Sequence, residues 1–440
     1  MNFRRLSVNG LLIVIALMIS ANASFSEPQK TWKPLIDLSP QELELYDPSQ
    51  NTPRDASIPY IPAEKYPFSA PYTAEEMGYR YAEFPHINRW ANTMNDVFGV
   101  VTPSGYINQG AWITYTSLEG EPGFEGYMRH KPGEIYAKWM IWQTFPPDGQ
   151  GGQQFWTPYR SDKNFRTKLD FYIYSKGLRR IRRMPEPRRD QRFPDNAQTI
   201  DDVMGRDPWE FKWEVLGTDV LYETVRFPNT RPKMVLNLDG KGFTEKPTES
   251  LKMMGENFEH YRSDGGVDCW VLKATADPDW VPDGYAEKYL VIWLEKNTFY
   301  PLRTEKYGLD DRLIMVDDRL ARFENPARKE LGYSAYLSVY WNLDHDLISY
   351  SFHDGLKPRV WTKEEKQSIF TAEFMRREWM YEMVKTQALV EKPDQFFLRS
   401  KLYPNKFPEH RNVTLSAEIQ KRYQAQEAAG KLIFESAGNE

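Results

Sequence analysis

Seven arginines fall between Arg179 and Arg192: Arg179, Arg180, Arg182, Arg183, Arg188, Arg189 and Arg192. A guanidinium is a planar, permanently charged fork of donors, so a row of them suits carboxylate or phosphate held through paired hydrogen bonds. The chemistry is anion recognition, and the anion has two possible sources. One is the head group of a ligand. The other is the chain itself, because Asp190, Asp195, Asp201, Asp202, Asp207 and Glu210 lie among or just beyond the arginines. On an extended strand Arg180 and Arg182 share one face with Leu178 and Met184, while Arg179 and Arg183 share the other with Ile181. Gly205 to Phe211 then reads as a tight turn before a strand from Phe211 to Val225.

Catalytic signatures are missing. The chain has no Gly-x-Ser-x-Gly elbow, no phosphate-binding glycine loop, no His-Glu-x-x-His and no EF-hand loop. Its six histidines are scattered, and Asp344-His345-Asp346 with His353-Asp354 is the one local cluster, which a turn built on aspartates explains. The pairs Asp201-Asp202, Asp310-Asp311 and Asp317-Asp318 cannot act jointly from a strand, since neighbours there point to opposite faces. Cys269, the sole cysteine, lies in the strand-like Asp268 to Leu272 as an inert buried thiol and leaves no partner for an internal disulfide. This reading calls for no enzyme activity, no cofactor and no metal.

The elements that must position these residues begin with a leader. Arg4 and Arg5 precede an apolar run from Leu11 to Ile19 and a small-residue end at Ala21-Asn22-Ala23, a secretory signal at 1–23 cleaved after Ala23. The run is too short to span a bilayer and no comparable run follows, so the exported chain has no membrane span. No cysteine stands at the cleavage site, so the product is not lipid-anchored, and its expected location is the periplasm. The formal charge of -5 becomes more acidic once the two leader arginines are removed, which argues against nucleic-acid binding.

Nine prolines between Pro28 and Pro71 make 24–72 an extended arm. The main antiparallel domain spans 73–360. Thr73 to Glu76 is a capping box that opens a helix, and a second helical stretch is expected from His86 to Phe98. Strands joined by turns follow at Tyr106–Ser117, Glu125–His130, Glu134–Phe145 and Gln154–Tyr159, then a meander over Tyr289–Val316 and a hairpin of Ala335–Trp341 with Leu347–Phe352. In 361–440 a capping box at Thr362 opens a long helix striped by Ile369, Ala372, Met375, Trp379 and Met383, and Ala417–Ala429 forms a last helix. The class is α+β. Aromatic residues, 15% of the chain, enrich strands and also line apolar clefts.

Tyr172 to Arg183, Pro185-Glu186-Pro187-Arg188-Arg189, Thr199-Ile200-Asp201-Asp202 and Trp213 to Gly217 together resemble domain of unknown function 1329, over a stretch from about Tyr79 to the C-terminal helices. That resemblance implies a sheet similar to the LolA and LolB lipoprotein carriers: a large curved antiparallel sheet, a half-open barrel with helices on its concave side. It also implies a link to envelope transport, with a resistance-nodulation-division transporter and an outer-membrane barrel protein as partners. The chain is much longer than a minimal carrier and lacks the acylated cysteine of the receptor form.

The leading expectation is a soluble periplasmic carrier or accessory protein for a lipid-like or other hydrophobic molecule. Tyr136, Trp139, Trp142 and Trp293 would line the apolar sleeve, with Arg179, Arg180, Arg182 and Arg183 holding a head group at its mouth. The alternatives are a structural or regulatory envelope protein that works through protein contacts, and an unrecognised enzyme acting on lipids or glycans.

Overall fold

In the computed structural model the residues described are 31–50, 68–82, 91–101, 107–120, 130–145, 151–162, 168–175, 177–185, 188–193, 196–222, 233–236, 244–247, 266–323, 333–358 and 361–375. The leader, the Glu125–His130 strand apart from His130, and the helix at Ala417–Ala429 lie outside them. The described residues from Trp32 onward group as one compact unit.

The strands are β1 (Lys33–Pro34), β2 (Asn92–Val101), β3 (Ile107–Leu118), β4 (Ala137–Phe145), β5 (Gln153–Pro158), β6 (Leu169–Ser175), β7 (Arg180–Arg183), β8 (Phe211–Tyr222), β9 (Lys233–Leu236), β10 (Thr244–Pro247), β11 (Gly266–Ala276), β12 (Glu287–Glu295), β13 (Pro301–Gly308), β14 (Leu313–Phe323), β15 (Tyr333–Asn342) and β16 (Leu347–Pro358), with successive side chains on opposite faces. Fourteen of them form one antiparallel sheet in the order β1-β8-β11-β12-β13-β14-β15-β16-β2-β3-β4-β5-β6-β7, and β9 and β10 make a separate ribbon. The sheet is therefore two meanders joined where β16 pairs with β2, from Ile348↔Val101 to Pro358↔Asn92. Its ends stay open, so it does not close into a barrel.

Among the described residues the helices are α1 (Pro40–Leu45), α2 (Ala74–Ala82), α3 (Ile200–Met204), α4 (Lys363–Ile369) and α5 (Ala372–Phe374). Four of them start with the same reciprocal capping box, Ser39 with Glu42, Thr73 with Glu76, Thr199 with Asp202 and Thr362 with Glu365, each satisfying two otherwise orphaned amides. Helix α2 lies on β8, where Gly78 lets Trp213 approach so closely that a Cβ would stand 2.2 Å from the indole.

Three local expectations change. The segment expected as helix from His86 to Phe98 is strand β2 from Asn92 onward, because ladders to β3 on one side and β16 on the other outweigh local propensity. The helix expected beyond Thr362 is broken at Phe370, which leaves helical geometry at φ -86 and ψ 61, and Thr371 caps a second helical segment; Trp379 and Met383 of the expected stripe lie outside the described residues. The arm is not wholly extended, since Pro40 at the first turn and the Ser39 cap nucleate α1.

A candidate ligand-binding face and the ion network behind it

The arginine segment is a hairpin. Strands β6 and β7 pair as Tyr172↔Arg183, Ile173↔Arg182, Tyr174↔Ile181 and Ser175↔Arg180. Arg179 occupies the turn with φ 48, so only Arg180 to Arg183 alternate as strand residues. β7 ends the sheet order, and Arg179, Arg180, Arg182 and Arg183 are all solvent-exposed. Arg183 is tied down, at 2.5 Å to Asp170 across the hairpin.

Paired residues share a face, which makes the surroundings of Arg182 readable from the register. One row runs Thr114, Ile141, Gln154, Ile173, Arg182, and the row beside it runs Thr116, Trp139, Trp156, Phe171. Trp139 stacks on Trp156 at 5.5 Å, Phe171 meets Trp156 edge-on at 5.3 Å, and Phe193 stacks on its other flank at 6.2 Å. Trp139 and Trp156 are buried, whereas Phe171, Ile173, Met184 and Phe193 are half-buried. The face thus grades from closed aromatic core, through a partly open apolar strip, to two exposed guanidinium groups at the edge.

Beyond β7 the chain crosses back towards β8, and here Arg189 turns inward. Arg188 pairs with Asp190 at 2.5 Å. Arg189, 1% exposed, donates to Asp201 at 3.0 and 3.1 Å and to both oxygens of Glu210. Asp207 takes Lys168 at 2.6 Å and also Arg160, and its backbone amide donates to Glu210 at 3.0 Å. The Tyr285 hydroxyl donates to Asp201 at 2.6 Å and lies 3.3 Å from Glu287. Glu287 receives a two-pronged bond from Arg206 at 2.5 and 2.7 Å, Arg206 reaches Asp202 at 3.0 Å, and Asp202 also takes Lys306. Five cations, Arg160, Lys168, Arg189, Arg206 and Lys306, therefore meet five carboxylates, Asp201, Asp202, Asp207, Glu210 and Glu287, in one continuous buried net.

Balance of this kind offsets the cost of taking ions out of water. Burial opposes ionisation of Asp202, yet Lys306 and Arg206 outweigh it and hold the carboxyl well below the usual range. Burial likewise raises Asp201, and Arg189, Lys168 and Arg206 together more than reverse it. Burial and the neighbouring Asp201 push the Tyr285 hydroxyl far up, so it stays a donor. On the sheet's other face Arg303 joins Glu305 at 2.6 Å and Asp318 at 3.4 Å, while Asp317 serves Arg319 at 2.7 Å on the first face. Adjacent aspartates on one strand thus serve opposite sides, as the alternation requires.

Of the eight residues expected to hold a ligand, the structure brings Trp139, Arg180 and Arg182 to one face. Arg183 points to the other side and Arg179 sits at the tip. Tyr136 is buried, its hydroxyl donating to the Met204 carbonyl at 3.1 Å. Trp142 is buried on the face opposite Trp139. Trp293 lies on β12, its indole N–H given to Asp219 at 2.9 Å and its ring against Trp32. Residues the sequence reading missed are Arg160, Lys168, Glu287 and Lys306, each without a local signal because its partners are far away in the chain. Cys269 is buried on β11, with burial pushing its thiol well above the ordinary range. Among the described residues no group of three or more His, Cys, Asp or Glu is placed to hold a metal ion.

The resemblance drawn from the arginine-proline segment is supported by comparison. The family model for DUF1329, a protein of unknown function, matches residues 59–260, which ends ahead of β11. Solved structures similar to the chain include a DUF1329 family protein from Desulfovibrio piger, 14% identical with a TM-score of 0.43, covering 69% of this chain and 97% of that one. A domain from Vibrio parahaemolyticus, described provisionally as an outer membrane lipoprotein-sorting protein, is 14% identical with a TM-score of 0.44, over 69% of this chain and 98% of its own. A LolA superfamily protein from Nitrosomonas europaea is 13% identical with a TM-score of 0.39, over 69% and 99%. No curated protein matches the chain. Among the described residues no helix is long and apolar enough to cross a membrane.

Proposed function

We propose that the protein is a periplasmic carrier or accessory protein that shelters a lipid-like or other hydrophobic molecule against a curved, half-open sheet and works without catalysis. The observation that carries this reading is the gradient on the β4–β7 face. Apolar half-buried Phe171, Ile173, Met184 and Phe193 adjoin the exposed guanidinium groups of Arg180 and Arg182. An amphiphile laid along that strip would remove its chain from water, a gain of about 0.8 kcal/mol per methylene covered. Its acidic head would meet a planar, charged fork. Delivery would go to a resistance-nodulation-division transporter or an outer-membrane barrel. Native mass spectrometry of protein taken from its own periplasm, with lipid extraction, tests this: a co-purifying amphiphile is expected, and consistently empty protein overturns the reading.

A second reading has its own support. Tyr136 and Trp293 are 1% and 2% exposed, closed over by the chain's own side chains, as in a structural or regulatory envelope protein acting through protein contacts. Consistently empty protein that captures a defined envelope partner would favour it.

A further inference from the structure

The face opposite the arginines carries a different feature. Its register aligns Ile113, Trp142, Gln153, Tyr174 and Ile181 in one row across β3 to β7. The neighbouring row is Tyr115, Met140, Phe155, Tyr172 and Arg183, with Trp361 against Tyr115 at 6.2 Å and Phe155 stacked on Tyr172 at 6.2 Å. Gln153 is 1% exposed and Trp142 0%, and Met140, Phe155, Ile113 and Tyr115 around them are buried. Yet the Gln153 carboxamide has no hydrogen-bond partner on its nitrogen or its oxygen, and the Trp142 indole N–H has none either.

Three orphaned polar atoms on directly paired residues are costly. Each buried donor or acceptor left unmade forfeits its hydration. A glutamine has no packing advantage over leucine at the centre of an apolar row, so its amide is explained by something it bonds. Opposed residues hold their Cβ atoms about 5 Å apart, so one small group can reach both side chains. That group would accept from the Trp142 N–H and the Gln153 NH2, and donate to the Gln153 oxygen. No ionised side chain belongs to this row, so an anion here would be desolvated without compensation.

We infer that Trp142 and Gln153 form a buried subsite for the neutral head of an otherwise apolar molecule, a hydroxyl or primary amide that both donates and accepts. The proposal rests on the reading that the chain takes up apolar molecules, and it adds a head-group preference on the face away from Arg180 and Arg182.

The test is isothermal titration of the full purified chain, stripped of lipid, with 1-decanol, decanoate and decane, alongside Gln153→Leu, Trp142→Phe and the double variant Arg180→Gln/Arg182→Gln. Wild type is expected to bind 1-decanol more tightly than decane. Gln153→Leu and Trp142→Phe should each lose roughly tenfold or more of the 1-decanol affinity, the scale of one buried hydrogen bond. The arginine variant should instead lower decanoate affinity. The melting temperature of guest-free Gln153→Leu should equal or exceed wild type, because an orphaned amide has been removed, and a fall overturns the proposal. Equal 1-decanol binding by wild type and both single variants, or no preference for 1-decanol over decane, also overturns it, with the orphaned atoms then assigned to buried water. Decanoate binding retained alongside such a result would sink this subsite alone and leave the carrier reading standing.

Discussion

Arg189 and Asp201, twelve residues apart in the chain, meet through two parallel hydrogen bonds of 3.0 and 3.1 Å in the interior of the protein. Glu210 closes the other side of the same guanidinium. The pair joins the segment leaving β7 to helix α3, and through Tyr285 to β12. Arg189→Met would leave Asp201 and Glu210 both buried with their main cation gone, which costs about 3–5 kcal/mol. Urea unfolding followed by tryptophan fluorescence should show the midpoint fall with little change in slope.

Arg180 and Arg182 are exposed, and replacing them touches no buried contact. Arg180→Gln/Arg182→Gln should unfold within about 0.5 kcal/mol of wild type. Decanoate affinity, measured at low and high salt, should fall severalfold and lose most of its salt dependence in the variant. Unchanged affinity would show that the head group is held elsewhere.

Asp318 has its carboxyl pushed up to about 6, first by burial, against which Arg303 at 3.4 Å is only a partial counterweight. A carboxyl raised in the folded state contributes stability that is full below its unfolded value, near 4, and is lost as pH rises through about 6. Asp318→Asn removes that titration, so the variant should gain roughly 2–3 kcal/mol on wild type at pH 7.5 relative to pH 4. Asp202 runs the other way: its carboxyl is depressed, so its contribution is present above the unfolded value and fades as pH falls further. The acid limb of the stability curve should therefore survive in Asp318→Asn. Denaturation across the pH range checks both signs.

Gly78 faces the Trp213 indole with no room for a Cβ. Gly78→Ala should push α2 off β8 and lower stability by about 1–3 kcal/mol, despite the better helix propensity of alanine. Thermal melts of Gly78→Ala beside Gly177→Ala, where no atom lies within 4 Å of the added carbon, separate crowding from backbone effects.

Strand-rich organisation was legible because alternation and turns are local properties. The meander through Tyr289 and the hairpin around Asn342 to Asp346 follow from adjacent residues alone. The β2 segment was not legible, since its state is set by strands that pair with it from either side. The arginine run shows the same division within one motif. Acidic residues nearby in sequence announced the partners of Arg188 and Arg189, while the exposure of Arg180 and Arg182 depends on β7 ending the sheet. Trp142 and Trp139 are three positions apart on one strand, so parity placed them on opposite faces, and grouping them as one lining ignored that period. Gln153 gave no signal, because an unpaired buried amide exists only in three dimensions.

The seam between β16 and β2 bears on how the chain is made. β2 emerges early in synthesis, and the strand that completes its second ladder comes only at Leu347–Pro358. Until then one edge of β2 is an open template, and pairing over such separation is slow and prone to aggregation. A fragment ending at residue 260 would leave that edge bare for good, so expression of the family-matched segment alone should yield inclusion bodies, and the whole chain needs protection until its last strand arrives.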